Sequence, residues 1–157
     1  MTQITDHFSW EEVTQSSTAS REGIDNTLPE ELKEAVYKTA VGMEKVRAFL
    51  GKPISVDSWY RSLHLNSAIG SKPTSQHTKG EAVDFICPAF GTPAEICKLI
   101  VANQDLIRFD QLILEHTWVH ISWNSVPGSK QRGQVLSLLQ DKTYASGLTD
   151  KLGVKLL

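Results

Sequence analysis

Ser75-Gln76-His77-Thr78-Lys79-Gly80-Glu81-Ala82-Val83-Asp84 is the stretch from which the rest of this chain can be read. It predicts a loop turning into a strand. Gly80 lets the backbone bend sharply where a side chain would resist. Ala82-Val83-Asp84-Phe85-Ile86 then alternates, so Ala82 and Asp84 share one face and Val83 and Phe85 take the other. A loop imidazole at His77 can therefore face a strand carboxylate at Asp84. Both are ordinary ligands for zinc, and the small Ala82 leaves space beside them.

Outward from this stretch the chain alternates between helical and extended patterns. Ser9 with Glu12 forms a capping box that opens a short helix, and Thr14 to Asn26 reads as an irregular polar arm. Thr27-Leu28-Pro29-Glu30 looks like a second capping box, with proline in the first turn. From there Leu32, Val36, Ala40, Met43, Val46 and Leu50 recur at spacings of three and four, and Gly51 and Pro53 end the helix. Ile54 to Tyr60 reads as a strand, followed by a loop of small and polar residues to His77. Thr92-Pro93-Ala94-Glu95 caps a helix running to about Asn103. Gln111–Glu115 and Trp118–Trp123 read as a hairpin, and Arg132 to Leu138 as a last strand. One helix first, then mostly strands with a helix between them, predicts an α+β fold: a small antiparallel sheet with flanking helices and the site on the sheet face.

A third ligand is offered by Trp118-Val119-His120-Ile121-Ser122, where alternation turns His120 away from the apolar side. Two histidines and one carboxylate leave a fourth zinc position open for water, the arrangement of a catalytic site. If the hairpin pairs residues 115 and 120 directly, Glu115 projects to the same face and can take a proton; otherwise it is a solvated residue beside a turn. Arg61, at the end of the Ile54–Tyr60 strand, either polarises a carbonyl or holds a carboxylate, or is simply a surface arginine. His116 is expected to be exposed in the turn, and His7 and His64 have no ligand-like context.

Composition narrows the classes. The chain has 157 residues, 40% hydrophobic and 22% charged, which fits one globular domain over 1–157 with residues 1–26 as an arm packed on it. A formal net charge of -2 gives no reason to expect nucleic-acid binding. No run approaches the roughly 20 apolar residues of a membrane span, and the first residues do not read as a signal peptide. Synthesis in a cytoplasm and a monomer are expected. Cys87 and Cys97 are too few for a disulfide framework; two buried free thiols and one disulfide both remain open.

The opening run resembles the Ser-x-His-x-x-Gly-x-Ala-x-Asp signature of the zinc D-Ala-D-Ala carboxypeptidases (peptidase family M-fifteen), with relatives among phage endolysins and vancomycin-resistance dipeptidases. His7-Phe8-Ser9-Trp10-Glu11-Glu12, Gly23-Ile24-Asp25-Asn26, Tyr60-Arg61-Ser62, Leu65-Asn66, Phe109 to Ile113 and Trp118 to Ser122 are similar to its small, often phage-encoded branch. The resemblance implies one zinc ion held by His77, Asp84 and His120, with Arg61 at the scissile carbonyl and Ser75 positioning substrate. It implies hydrolysis of peptidoglycan stem peptides or cross-links by zinc-bound water, as D-Ala-type carboxypeptidase or endopeptidase, on a wall reached after release or delivery. The competing expectation is a non-catalytic zinc-containing wall-binding or virion module. Two departures stand out. Thr117 occupies the position where several relatives carry the catalytic acid, which leaves Glu115 as the substitute. Trp59 replaces a frequent glycine before Tyr60-Arg61, where an indole would narrow the cleft.

Overall fold

The computed structural model describes residues 2–157. Two short strands, β1 (Gln3–Thr5) and β2 (Phe8–Ser9), pair antiparallel ahead of α1 (Trp10–Thr14). Ser9 and Glu12 close the expected capping box at α1. The segment expected to be an irregular arm contains a helix, α2 (Ser17–Glu22), capped by Ser16 and ended by Gly23 in the left-handed region. Its sequence, Ser-Thr-Ala-Ser-Arg-Glu, buries only Ala19 and so shows no apolar period.

The long helix α3 (Lys33–Leu50) buries Val36, Ala40, Met43, Val46 and Leu50, the stripe the spacing predicts. It starts later than the Thr27 box implies. Both the backbone N–H and the hydroxyl of Thr27 donate to Asp25 Oδ1, so Thr27 caps nothing. A 3-10 turn at Glu30–Leu32 leads into the α-helix instead.

β3 (Ser55–Ser58) is shorter than the run that suggested it, because Trp59 and Tyr60 leave the sheet and turn inward. Next come α4 (Leu63–Ile69), β4 (Ala82–Ile86), α5 (Pro93–Ala102), α6 (Gln104–Ile107), β5 (Gln111–Leu114), β6 (Val119–Ser122), β7 (Gln134–Leu138) and β8 (Tyr144–Ser146). α4 lies where a loop was expected, started by the Ser62 hydroxyl accepting from the Leu65 N–H. α5 carries the predicted Thr92–Glu95 capping box.

The six-stranded sheet runs β3-β4-β6-β5-β7-β8. The α+β class holds, and the sheet is mixed: all its neighbours are antiparallel except β5 and β7. The chain leaves β6, crosses through residues 123–133, and re-enters on the free edge of β5 in the same direction. The second small sheet, β1-β2, is antiparallel.

Register sorts the two faces of the large sheet. Val83 pairs with Ile121, which pairs with Leu112; Phe85 pairs with Val119, which pairs with Leu114. These six side chains are fully buried in one cluster with the α3 stripe and with Ile96 and Ile100 of α5. The other face carries Ser58, Asp84, His120, Ile113 and Leu136 in one row across five strands. Cys87 and Cys97 lie on the core side as free, buried thiols, and burial pushes the Cys97 thiol up to about 12. Among the described residues, no helix is long and apolar enough to cross a membrane.

Gly80 ties the site to this core. Its φ is +72°, and an added Cβ would lie 2.7 Å from Val36 Cγ2, a stiff branched side chain on α3. Gly51 also has positive φ, +67°, but open space around it. Gly51→Ala is expected to cost roughly 1 kcal/mol from backbone strain alone. Gly80→Ala adds the clash and is expected to cost roughly 2–4 kcal/mol. Urea denaturation of the two variants measures the difference; equal losses would contradict the close packing of Gly80 on α3.

Candidate active site

The row of side chains on the open sheet face forms the floor of a cleft of about 550 Å³, walled on one side by Gly70 to His77. Asp84 comes from β4 and His120 from the neighbouring position on β6, as their direct pairing requires. His77 arrives from a 3-10 turn over Gln76–Lys79. Ser75 starts that turn, its hydroxyl accepting from the His77 N–H at 3.2 Å. Gly80 ends it, and the Gly80 carbonyl accepts from Thr39 Oγ1 and from the Trp59 indole N–H. A loop residue is thereby fixed as firmly as a strand residue.

Trp59 therefore does not narrow the cleft, as its place in the sequence suggested. Its side chain is completely buried, edge-on to Phe8 with ring centroids 6.1 Å apart. Its backbone carbonyl lies 2.6 Å from His77 Nδ1. A carbonyl can only accept, so Nδ1 carries the proton and the neutral ring presents the Nε2 lone pair to the cleft.

That lone pair meets Asp84. Oδ1 of Asp84 lies 3.2 Å from His77 Nε2 and 2.9 Å from His120 Nδ1. One donor atom from each residue falls within 4.8 Å of the other two. Burial opposes the Asp84 charge, but a proton shared with the two imidazoles outweighs it and holds the carboxyl well below the usual carboxylate range. Burial also lowers the His77 pKa, favouring the neutral ring against the pull of Asp84. A carboxylate oxygen and an imidazole lone pair repel unless a proton or a cation lies between them. Two nitrogens and one oxygen converging in this way suit a divalent ion of the zinc type.

The second oxygen of Asp84 is held from behind. Arg61 Nη2 donates to Asp84 Oδ2 at 3.2 Å, Nη1 to Asn66 Oδ1 and Nε to Ser58 Oγ. Burial lowers the Arg61 pKa, but Asp84 opposes that shift and the group remains a cation. Three of its five N–H groups are thus committed, and two remain for the cleft. The arm fixes the same segment: the Asn26 amide donates to the Thr14 and Tyr60 carbonyls, and its oxygen accepts from the Ser62 N–H. Neither Asn26 nor Asn66 announces this role, since an isolated asparagine carries no periodic or spacing signal.

Glu115 lies in the cleft, but not through the pairing expected for it. β5 and β6 align Ile113 with His120, so Glu115 stands opposite Trp118, its N–H bonded to the Trp118 carbonyl. The register differs by two residues, which leaves the side chain on the same face. Burial raises the Glu115 pKa, with His120 opposing. The Tyr144 hydroxyl donates to Glu115 Oε1 at 3.2 Å. His116 is half-buried rather than free in the turn, with Nε2 2.9 Å from the Leu138 carbonyl.

A further polar chain, invisible to sequence reasoning, braces the cleft. The Gln76 amide donates to Glu81 Oε1 and Asp110 Oδ2. Glu81 Oε2 accepts from the Ser125 N–H and hydroxyl, and Asp110 accepts from both the backbone and the guanidinium of Arg132. The turn carrying His77 is thereby joined to the crossing loop between β6 and β7.

A family model described as Peptidase M15 matches residues 6–122, which include Arg61, Ser75, Glu115 and all three converging residues. No curated protein matches the chain. The match takes in more than half of the 157 residues, and a His-Asp-His cluster of metal-ligand type lies within it. The chain belongs to the Peptidase M15 family and is a metallopeptidase.

Proposed function

We propose that this metallopeptidase depends on one zinc ion held by His77, Asp84 and His120, and hydrolyses peptide bonds in peptidoglycan stem peptides or cross-links. The observation that carries the reading is Asp84 Oδ1 set between two imidazole nitrogens, with a second carboxylate, Glu115, on the same face of the same cleft. One carboxylate is held by a guanidinium and two imidazoles; the other is free to exchange a proton. When bound, zinc supplies Lewis acidity for the scissile carbonyl and acidifies water.

The residues of the chain do the rest. Glu115 takes the proton of the attacking water and returns it to the leaving amine, a task helped by a pKa that burial raises above the usual carboxylate value. Arg61, with two N–H groups uncommitted, donates to the developing oxyanion or to a substrate carboxylate. Ser75 offers its own hydroxyl proton at the cleft wall, since its oxygen already accepts from His77. Ile113 and Leu136 give the floor an apolar strip between these groups. The motifs surrounding these residues favour a stem peptide with a D-residue beside the cut. The site of action is the cell wall, reached by a monomer after release or delivery, as in phage-type lysis.

Alanine at His77, Asp84 or His120 is expected to reduce zinc from one ion per chain to a small fraction, measured by metal analysis after dialysis. Glu115→Gln is expected to keep the ion and lose about 100-fold or more in activity. EDTA treatment should abolish hydrolysis and added zinc restore it. Mass spectrometry of muropeptides after digestion identifies the bond. Zinc-loaded protein that releases no new amine or carboxyl from purified peptidoglycan would overturn the peptidase reading in favour of a wall-binding role.

A further inference from the structure

Most of the cleft comes from the span that the family model matches, but one wall does not. β7 and β8 follow residue 122, the last residue matched. β8 is the outermost strand of the sheet, and Tyr144 pairs there with Leu138. Leu138 stands two residues beyond Leu136, so Tyr144 shares the face of Leu136, Ile113 and His120. Its side chain is half exposed, lines the cleft, and reaches back across β7 to Glu115.

That contact is the one hydrogen bond made by the Glu115 carboxylate among the described residues. The Glu115 side chain has no other hydrogen bond to hold it: it belongs to the residue after β5, at the start of a tight turn in which His116 has a left-handed backbone, φ +68°. The next side chain of this turn is tied to the same hairpin. His116 Nε2 reaches the Leu138 carbonyl, and Leu138 is the strand partner of Tyr144. One hairpin thus holds two side chains of the turn, His116 through the Leu138 carbonyl and Glu115 through the Tyr144 hydroxyl. A glutamate on a turn samples several rotamers unless something stops it. A phenol bonded to Oε1 restrains it and leaves Oε2 without a hydrogen-bond partner among the described residues.

We infer that Tyr144 is a positioning residue of this peptidase, holding the Glu115 carboxylate in the orientation from which it exchanges a proton. The inference rests on Glu115 acting as the base. Tyr144 does not supply the proton and is not needed to bind zinc. Its removal should slow turnover while leaving zinc content, substrate affinity and folding in place. The half-exposed ring on an edge strand makes Tyr144→Phe a mild change, because only the hydroxyl is lost.

The test compares wild type, Tyr144→Phe, Glu115→Gln and the double variant, all zinc-loaded, on a purified muropeptide that the wild type cleaves. Tyr144→Phe is expected to lower kcat about tenfold, the size of one hydrogen bond to a charged group, with KM within about twofold and an unchanged thermal midpoint. The double variant is expected to be no slower than Glu115→Gln. An unchanged kcat, a loss confined to KM, or an additive loss in the double variant overturns the inference. Glu115→Gln with full activity overturns the base assignment and this inference with it. A second readout needs no activity. Burial and the Glu115 charge raise the Tyr144 pKa, so in tyrosine labelled at Cζ the Tyr144 titration should move down in Glu115→Gln, assigned by its absence in Tyr144→Phe. Should the wild type cleave no muropeptide, the peptidase reading fails while this titration still decides the pairing; an unmoved midpoint overturns it.

Discussion

Asp84 is the point on which the architecture turns. A carboxylate almost wholly out of water persists only if every lone pair is answered. Here one oxygen faces two imidazoles and the other an arginine. Each of those partners has its own support: His77 from the Trp59 carbonyl, His120 from its strand pairing, Arg61 from Ser58 and Asn66. Removing Asp84 would take from each of the three the partner they share, and removing any one of them would leave the buried carboxylate less fully matched. The site is over-determined, as a preorganised metal site has to be if its ligands are to keep their places before the ion arrives.

Trp59 shows how the core and the site share the same residues. Its indole packs on Phe8 and donates to the Gly80 carbonyl, while its own carbonyl sets the tautomer of His77. Gly80 in turn rests on Val36 of the long helix. The hydrophobic stripe of α3 therefore reaches His77 through three contacts. Changes in the core near Val36 or Phe8 will be felt as shifts of an imidazole, without any residue of the cleft being touched.

The sequence made the elements that repeat legible and concealed those that do not. The α3 stripe, the alternation around Asp84 and His120, and the capping boxes at Ser9 and Thr92 all rest on periodicity or on fixed short spacings, and all stand in the structure. The helices α2 and α4 are short and mostly polar, and no spacing rule reaches them. The Thr27 box failed because Asp25, two residues earlier, competes for the same donors. β5 and β6 pair two residues away from the register that sets Glu115 opposite His120, and because parity is unchanged Glu115 still faces the cleft. Trp59 was expected at the cleft from its place beside Tyr60-Arg61 alone, which says nothing of the ring's direction; past the irregular end of β3 the ring turns into the core. The polar chain from Gln76 to Arg132 is long-range throughout; such contacts exist only once the fold is complete.

The parallel pairing of β5 with β7 is what closes this site. Had β7 returned antiparallel by a tight hairpin, its partner strand would have left the sheet in the other direction. The crossing loop instead brings Arg132 to Asp110 and lays β7 alongside β5 in the same sense, so that Leu136 meets Ile113 and the β7–β8 turn falls near Glu115. The wall that restrains Glu115 depends on that topology rather than on any local motif. It follows that the ligand cluster and the group proposed to exchange the proton are held by different parts of the chain. The first is built from β3, β4, β6 and the turn before β4, the second from β5 and the last hairpin. Such a division allows the orientation of the base to vary while the metal site stays as it is.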